Sequence, residues 1–145
     1  EVPPLVRETA FRLKKDFPDT VMLINGQIAS LDEAKALVDA GMDGVMVGRA
    51  AYQNPWMLAG ADEVLYGVEH DVTRLECVHR MTAYLEENYR DDVHAIRAVA
   101  RHVNGLAQGL PGARRWRQVL SDPAAIKDRG AGLIQYAWEE AFGEG

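Results

Sequence analysis

The chain has 145 residues, of which 48% are hydrophobic, and its formal net charge is −6. This length allows one modest hydrophobic core, and no apolar run approaches the roughly 20 residues of a membrane span. A single cysteine excludes an intramolecular disulfide framework, and the N-terminus shows no signal-peptide pattern, so we expect a cytoplasmic protein.

A helix is the first predicted element, beginning at Pro3-Pro4 and ending near Lys15. Its inward face is predicted to hold Val6, Ala10, Leu13 and Phe17. Two short apolar runs follow, at residues 21–24 and 45–47, and neither alternates polar with apolar side chains. Runs of that kind are typical of parallel strands that are buried on both faces.

An amphipathic helix is predicted between the two strands. Ser30 and Glu33 form the S-x-x-E pattern of a capping box, and Gly41 supplies a C-terminal stop. The segment therefore predicts a strand-helix-strand unit in which the turns at residues 25–27 and 48–49 follow neighbouring parallel strands. In a β/α barrel ligands bind at the carboxyl ends of the strands, and the loops after the last two strands are a frequent phosphate site.

The pattern beyond residue 67 is helical, and its charge is uneven. Residues 62–92 hold nine acidic residues and three arginines, whereas residues 93–121 hold five arginines and no acidic residue. Those five are Arg97, Arg101, Arg114, Arg115 and Arg117. The net charge of the chain argues weakly against nucleic-acid binding. A local cluster of basic residues is the more specific signal, and it indicates a nucleic-acid-binding surface.

Three motifs resemble those of a known family. N-G-x-I after the first strand, and D-G-V-M-V-G-R-A-A-Y-x-N-P at the second, resemble the closing strands of the tRNA-dihydrouridine synthases. Residues 105–117, GLAQGLPGARRWR, resemble the helical-domain signature of their A-type subfamily. The resemblance covers essentially the whole chain with one departure, because the family usually has Asn-Gly-Gly where this chain has Gln27 in the third position.

The resemblance implies the C-terminal part of such an enzyme. Residues 1–67 would be the last β/α units of an FMN-binding TIM barrel, and residues 68–145 a helical tRNA-binding domain. Complete enzymes of the family reduce uridine to 5,6-dihydrouridine in the tRNA D-loop, with NADPH as reductant and FMN as cofactor. A complete barrel takes roughly 250 residues. We therefore expect this chain to be inactive by itself, to expose strand edges and to self-associate.

The first candidate site is a flavin-phosphate site formed by the two turns. Successive backbone N–H groups in glycine-containing turns can cradle an anion, and an arginine adds a permanent charge with a bidentate donor fork. The predicted residues are Asn25, Gly26, Gln27, Gly48 and Arg49. For either turn alone, ordinary loop glycines at a strand end are the alternative interpretation.

The second candidate site is an RNA-contacting face that contains Arg114 and Arg117. Both are predicted to project from one helix on the side opposite Trp116 and Leu120. Guanidinium groups bind phosphates and stack on unpaired bases, which are the usual target of RNA recognition. A solvated helix face is the alternative.

No catalytic residue and no metal ligand are predicted in the chain. The catalytic cysteine of the family belongs to an earlier barrel loop, so Cys77 is expected to have a packing role. Two other classes of protein stay open: another FMN- or phosphate-binding barrel oxidoreductase that resembles dihydroorotate dehydrogenase, and a non-catalytic RNA-binding module.

Overall fold

The computed structural model describes residues 5–69 and 71–143, so the predicted helix start at Pro3-Pro4 lies outside the described residues. The described residues form two compact units. One comprises residues 5–53 and 57–69, and the other comprises residues 54–56 and 71–143. None of the helices in these ranges is long and apolar enough to cross a membrane.

The first unit contains a two-stranded sheet and four α-helices among its described residues. In chain order they are α1 (Arg7–Asp16), β1 (Leu23–Asn25), α2 (Leu31–Asp39), β2 (Gly44–Met46), α3 (Arg49–Gln53) and α4 (Ala61–Tyr66). A 3-10 helix spans Pro55–Gly60, of which residues 57–60 belong to this unit. The strands pair in parallel, with Ile24 opposite Val45. The predicted strand-helix-strand unit is therefore confirmed, with strand bounds shifted by one or two residues.

The core of the first unit is small. Its buried residues are Ile24, Ile28, Ala34, Leu37 and Met42. By contrast, the side chain of Leu23 is 65% exposed and that of Met46 is 53% exposed. The prediction that both strand faces are buried is wrong for this chain. Successive side chains of a strand point to opposite faces, and in the described residues only the Ile24 face is covered.

Helix α1 packs through a face that shares only Ala10 with the predicted one. Val6, Leu13 and Phe17 are about half exposed, whereas Ala10 and Phe11 contact the core. Polar contacts accompany this orientation. Arg7 bonds the Gly26 carbonyl oxygen, and Lys14 bonds two backbone carbonyl oxygens and the carboxylate of Asp43. These side chains lie on the same side of the helix as Ala10 and Phe11, at spacings of three and four residues.

The second unit is helical. Its elements are α5 (Arg74–Asn88), α6 (Val93–His102), α7 (Ala113–Ser121), α8 (Pro123–Arg129) and α9 (Leu133–Phe142), with 3-10 helices at Val103–Ala107 and Gly130–Gly132. Sixteen buried hydrophobic residues form its core in the described part of the chain. Trp116 is fully buried and meets Trp138 edge to face, with ring centroids 5.7 Å apart. The inward placement of Trp116 that the sequence predicts is confirmed.

Candidate functional site

The turns that follow β1 and β2 line one cavity of about 550 Å³. Its lining residues are Asn25, Gly26, Gln27, Ile28, Ala29, Met46, Gly48, Arg49, Ala50 and Gln53. All five residues that the sequence predicts for a phosphate site are among them. The strand register explains why they meet: Asn25 lies opposite Met46, so the segments that leave the two strands begin side by side.

The charge of this cavity suits an anion. None of the lining residues is acidic, and Arg49 is the single cation among them. Arg49 is exposed at the start of α3, and it forms no hydrogen bond or ion pair with any residue that the structure describes. Because no carboxylate neutralises it there, its guanidinium group is available to a ligand.

The turn after β1 has an unusual backbone. Gly26 has φ 130° and Gln27 has φ 50°, and Gln27 is the one non-glycine residue with positive φ in the described chain. A side chain in the left-handed region costs about 1–2 kcal/mol. The position at which the sequence departs from the family's glycine is thus the position whose conformation favours glycine.

The turn after β2 is open to approach. A Cβ atom added at Gly48 would meet no heavy atom within 4 Å outside its chain neighbours. A Cβ atom at Gly26 would instead lie 2.5 Å from Leu5 Cδ1. Gly48 therefore leaves space beside Arg49, whereas Gly26 is constrained mainly by its φ, because the half-exposed side chain of Leu5 could move aside.

Two charged residues outside the predicted site hold the first turn. Arg7 Nη2 donates to the Gly26 carbonyl oxygen at 2.8 Å and to Glu33 Oε1 at 2.6 Å. Glu33 Oε2 accepts the Ala29 N–H at 2.9 Å, and the Glu33 N–H donates to Ser30 Oγ at 3.1 Å. The bond from Ala29, followed by that from Arg7, lowers the pKa of Glu33 below its ordinary value.

Sequence reasoning recognised Glu33 only as a helix cap and missed Arg7. The capping box is present, but the Glu33 carboxylate bonds the N–H of Ala29, the residue before the N-cap. Arg7 gave no local signal, because its partners are 19 and 26 residues away in the sequence. The missed cavity residues, such as Gln53, likewise carry no motif of their own.

The arginine face of α7 lies in the second unit. Arg114 and Arg117 are exposed, and neither forms an ion pair within the described ranges. Ala113, Trp116, Val119 and Leu120 are buried on the other side of the helix. Arg115 differs, because it pairs with Glu140 of α9, and this pairing lowers the pKa of Glu140.

The remaining candidates have no ligand-binding arrangement. Cys77 lies in α5 and is half-buried against the helical core. Within residues 5–69 and 71–143, no group of three or more His, Cys, Asp or Glu side chains is placed to hold a metal ion.

Comparison with known proteins identifies the family. Residues 7–141 match the family described as dihydrouridine synthase (Dus), so the chain belongs to that family.

Individual relatives agree with this assignment. The chain is 39% identical over 138 residues to a tRNA-dihydrouridine(20/20a) synthase of Vibrio cholerae serotype O1, covering 94% of this chain and 42% of the relative. It is 42% identical over 142 residues to the protein of the same name from Pseudomonas aeruginosa, covering 92% and 42%. The protein of the same name from Escherichia coli strain K12 is 42% identical over 138 residues, which cover 94% of this chain and 39% of the relative. The chain thus spans about two fifths of the length of the relatives it matches.

Proposed function

We propose that this chain is the C-terminal part of a flavin-dependent tRNA-dihydrouridine synthase of the A-type subfamily, which reduces D-loop uridines in cytoplasmic tRNA. The first unit would anchor the phosphate of FMN, and the second unit would contact tRNA. The observation that carries the proposal is the cavity in which five residues, selected by sequence alone, come together without an acidic neighbour.

The residues of the cavity fit a phosphate monoester. The Arg49 guanidinium offers paired N–H donors to phosphate oxygens in a fixed geometry. Gly26 and Gly48 leave backbone N–H groups uncovered by side chains. Asn25 and Gln27 are exposed, and their side-chain amides make no hydrogen bond to the described part of the chain, so they are further donors.

The cofactor and the residues of this chain would have different roles. When bound, FMN supplies the redox chemistry, with NADPH as the reductant and the uracil ring as the acceptor. The residues of this chain bind and orient. None of those lining the cavity is an acid, a histidine or a cysteine that could move a proton at neutral pH. We therefore expect the 145-residue chain by itself to be inactive and not to retain FMN at micromolar concentration.

The second unit supports the tRNA part of the proposal. Arg114 and Arg117 are held on the outer side of a helix whose other face is buried, so their side chains are directed to solvent. Helix α6 packs against α7 and presents two more exposed arginines, Arg97 and Arg101. Such a surface contributes phosphate contacts of the kind that dominate affinity for nucleic acid.

The phosphate assignment is tested by FMN retention in the complete synthase of which we propose that this chain is part. Arg49→Ala removes a charge-assisted hydrogen bond and should weaken FMN binding by about 1.5–3 kcal/mol. Arg12→Ala is the matched control, because Arg12 is also exposed and unpaired within the described first unit but does not line the cavity. If both variants retain FMN through dialysis as well as the unmodified enzyme does, Arg49 does not hold the phosphate.

A further inference from the structure

Arg7 and Glu33 connect the two ends of the turn after β1. The Gly26 carbonyl oxygen accepts a hydrogen bond from Arg7, and the Ala29 N–H donates one to Glu33. The two side chains are joined by an ion pair of 2.6 Å. Each is about 30% exposed, so this network is partly shielded from water. It fixes a backbone carbonyl oxygen and a backbone N–H that no strand or helix would otherwise hold.

The side chains of the network line a hollow other than the phosphate cavity. Arg7 and Glu33 line a second hollow of about 690 Å³, together with Leu5, Val6 and Glu8. Gln27 is the one residue that lines both hollows. Gln27 therefore borders both a hollow that contains Arg7 and the cavity that contains Arg49.

The geometry of the peptide bond between Gly26 and Gln27 determines where the Gln27 N–H points. The peptide bond is planar and trans, so the carbonyl of one residue and the N–H of the next point in opposite directions. When Arg7 holds the Gly26 carbonyl oxygen, the Gln27 N–H is directed away from Arg7, and Gln27 also lines the phosphate cavity. Rotation of this peptide changes ψ of Gly26 and φ of Gln27, and a φ of 50° at Gln27 is one that a side chain disfavours, so the backbone does not itself select this orientation.

We propose that Arg7 and Glu33 are positioning residues that orient the peptide between Gly26 and Gln27 so that the Gln27 N–H serves as a donor to the bound phosphate. This inference rests on the proposed phosphate site. Without the network the peptide is free to rotate, and the rotated form presents a carbonyl oxygen to the anion in place of an N–H. The effect on affinity is then larger than the removal of one hydrogen bond, because a donor is replaced by an acceptor.

The test uses the 145-residue chain labelled with ¹⁵N and titrated with inorganic phosphate, with chloride holding the ionic strength constant. In the unmodified chain the Gln27 amide signal is expected to shift saturably. Arg7→Met keeps the length of the side chain but removes its donors, and should weaken phosphate binding about tenfold or more. Glu33→Gln, which removes the ion pair but keeps a polar side chain, should weaken it in the same direction.

Lys14→Met is the matched control. Lys14 is also a cation of α1 that bonds backbone carbonyl oxygens, those of Pro18 and Thr20, and pairs with a carboxylate. It does not contact the turn, so its replacement should leave phosphate affinity unchanged. The methyl signals of Ile24 and Ile28 report whether the first unit is folded, and if Arg7→Met loses them, Glu33→Gln decides.

The possible outcomes distinguish the positioning role from the phosphate site on which it rests. If the unmodified chain binds phosphate and both Arg7→Met and Glu33→Gln bind it equally well, the positioning role is wrong and the phosphate site stands. The same conclusion holds if Lys14→Met loses as much affinity as Arg7→Met, because the effect is then general stability. If no amide of the two turns responds to phosphate in the unmodified chain, the phosphate site itself is wrong and the positioning role falls with it.

Discussion

Trp116 Nε1 donates a hydrogen bond of 3.1 Å to the carbonyl oxygen of Asn104, 12 residues earlier in the chain. Because the indole ring is fully buried, this bond sets the rotation of α7 about its axis. With Trp116 fixed inward, Arg114 and Arg117 are left outward on the same helix. The exposure of the arginine face therefore depends on a buried aromatic residue.

Replacing Trp116 should be more costly than replacing its neighbour in the core. Trp116→Phe leaves the Asn104 carbonyl oxygen without its donor and also creates a cavity, so the second unit should lose about 2–4 kcal/mol of unfolding free energy. Trp138→Phe is the control, because Trp138 is nearly as buried but makes no hydrogen bond in the described chain. Urea unfolding followed by circular dichroism at 222 nm measures both, and equal losses would show that the hydrogen bond contributes nothing.

Replacing Gln27 with glycine should not destabilise the first unit and should slightly stabilise it. Relief of the left-handed conformation is worth about 1–2 kcal/mol, and the greater freedom of glycine in the unfolded chain offsets about 0.4–1 kcal/mol of it. We expect Gln27→Gly to leave the first unit equally stable or up to about 1.5 kcal/mol more stable, and FMN retention in the complete synthase to be unchanged or slightly improved.

The control for that substitution is Gln53→Gly. Gln53 lines the same cavity but is the last residue of a helix and does not have a positive φ, so glycine there relieves no strain and should leave the first unit unchanged or up to about 0.5 kcal/mol less stable. Denaturant titration followed at the Ile24 and Ile28 methyl signals compares the two. If Gln27→Gly destabilises the first unit, the glutamine side chain contributes more to stability than its left-handed backbone conformation costs.

Acid should weaken the first unit through Glu33. Its pKa in the folded state lies below the ordinary 4.5, because it accepts bonds from Ala29 and Arg7. The stabilisation is therefore complete above about pH 4.5, where the unfolded chain is also ionised, and is lost as the pH falls through the lower folded pKa. Glu33→Gln should make the stability of the first unit less dependent on pH in that range.

Two features sharpen the pH experiment. Asp43 also has a lowered pKa, because it bonds Lys14 and the Met22 N–H, so part of the acid sensitivity should persist in Glu33→Gln. Glu8→Gln is the control, since Glu8 is exposed and makes no interaction with the described residues. The measurement is the disappearance of Ile24 and Ile28 methyl signals between pH 6 and pH 3. Identical curves for Glu33→Gln and the unmodified chain would refute the role of Glu33.

The arginine face of α7 should contribute to tRNA affinity. In the complete synthase, Arg114→Glu/Arg117→Glu should weaken tRNA binding and reduce the salt dependence of log affinity, by about 0.7–0.9 for each phosphate that is no longer neutralised. FMN content and fold should not change, because both side chains are exposed. Filter binding over a salt series measures the slope.

The structure selects the control pair for this experiment. Arg80 and Arg90 both have side chains more than 70% exposed, and each pairs with a glutamate four residues earlier, within the acidic stretch of residues 62–92. Arg74 is unsuitable, because its guanidinium lies 4.4 Å from the centroid of the Trp56 ring and its Nε bonds the Leu106 carbonyl oxygen. Equal losses from Arg80→Glu/Arg90→Glu would indicate general electrostatics in place of a defined face.

The two units should differ in stability. Five buried hydrophobic residues support the first and sixteen support the second within the described ranges, so the first should unfold at lower denaturant concentration. The exposed side chains of Leu23 and Met46, on a sheet of two described strands, should also promote self-association. Leu23→Lys should reduce the concentration dependence seen in sedimentation velocity. A monomeric chain with a single sharp transition would contradict this prediction.

Local signals in the sequence determined much of the first unit. The capping box at Ser30 fixed the start of α2, and two apolar runs marked β1 and β2, because caps and periodicity are properties of contiguous residues. The turns at residues 25–27 and 48–49 were recognised for the same reason. Likewise, the apolar spacing of α7 was enough to predict that Trp116 points inward and Arg114 outward.

Tertiary structure decided what depends on residues far apart in the chain. The orientation of α1, and with it the hydrogen bond between Arg7 and the Gly26 carbonyl oxygen, follows from where the helix packs, which no window of neighbouring residues records. The positive φ of Gln27 follows from the path that the turn must take between β1 and α2, against the preference of the side chain. The exposure of Leu23 was decided in the same way, since an apolar strand residue is buried only when another element covers its face.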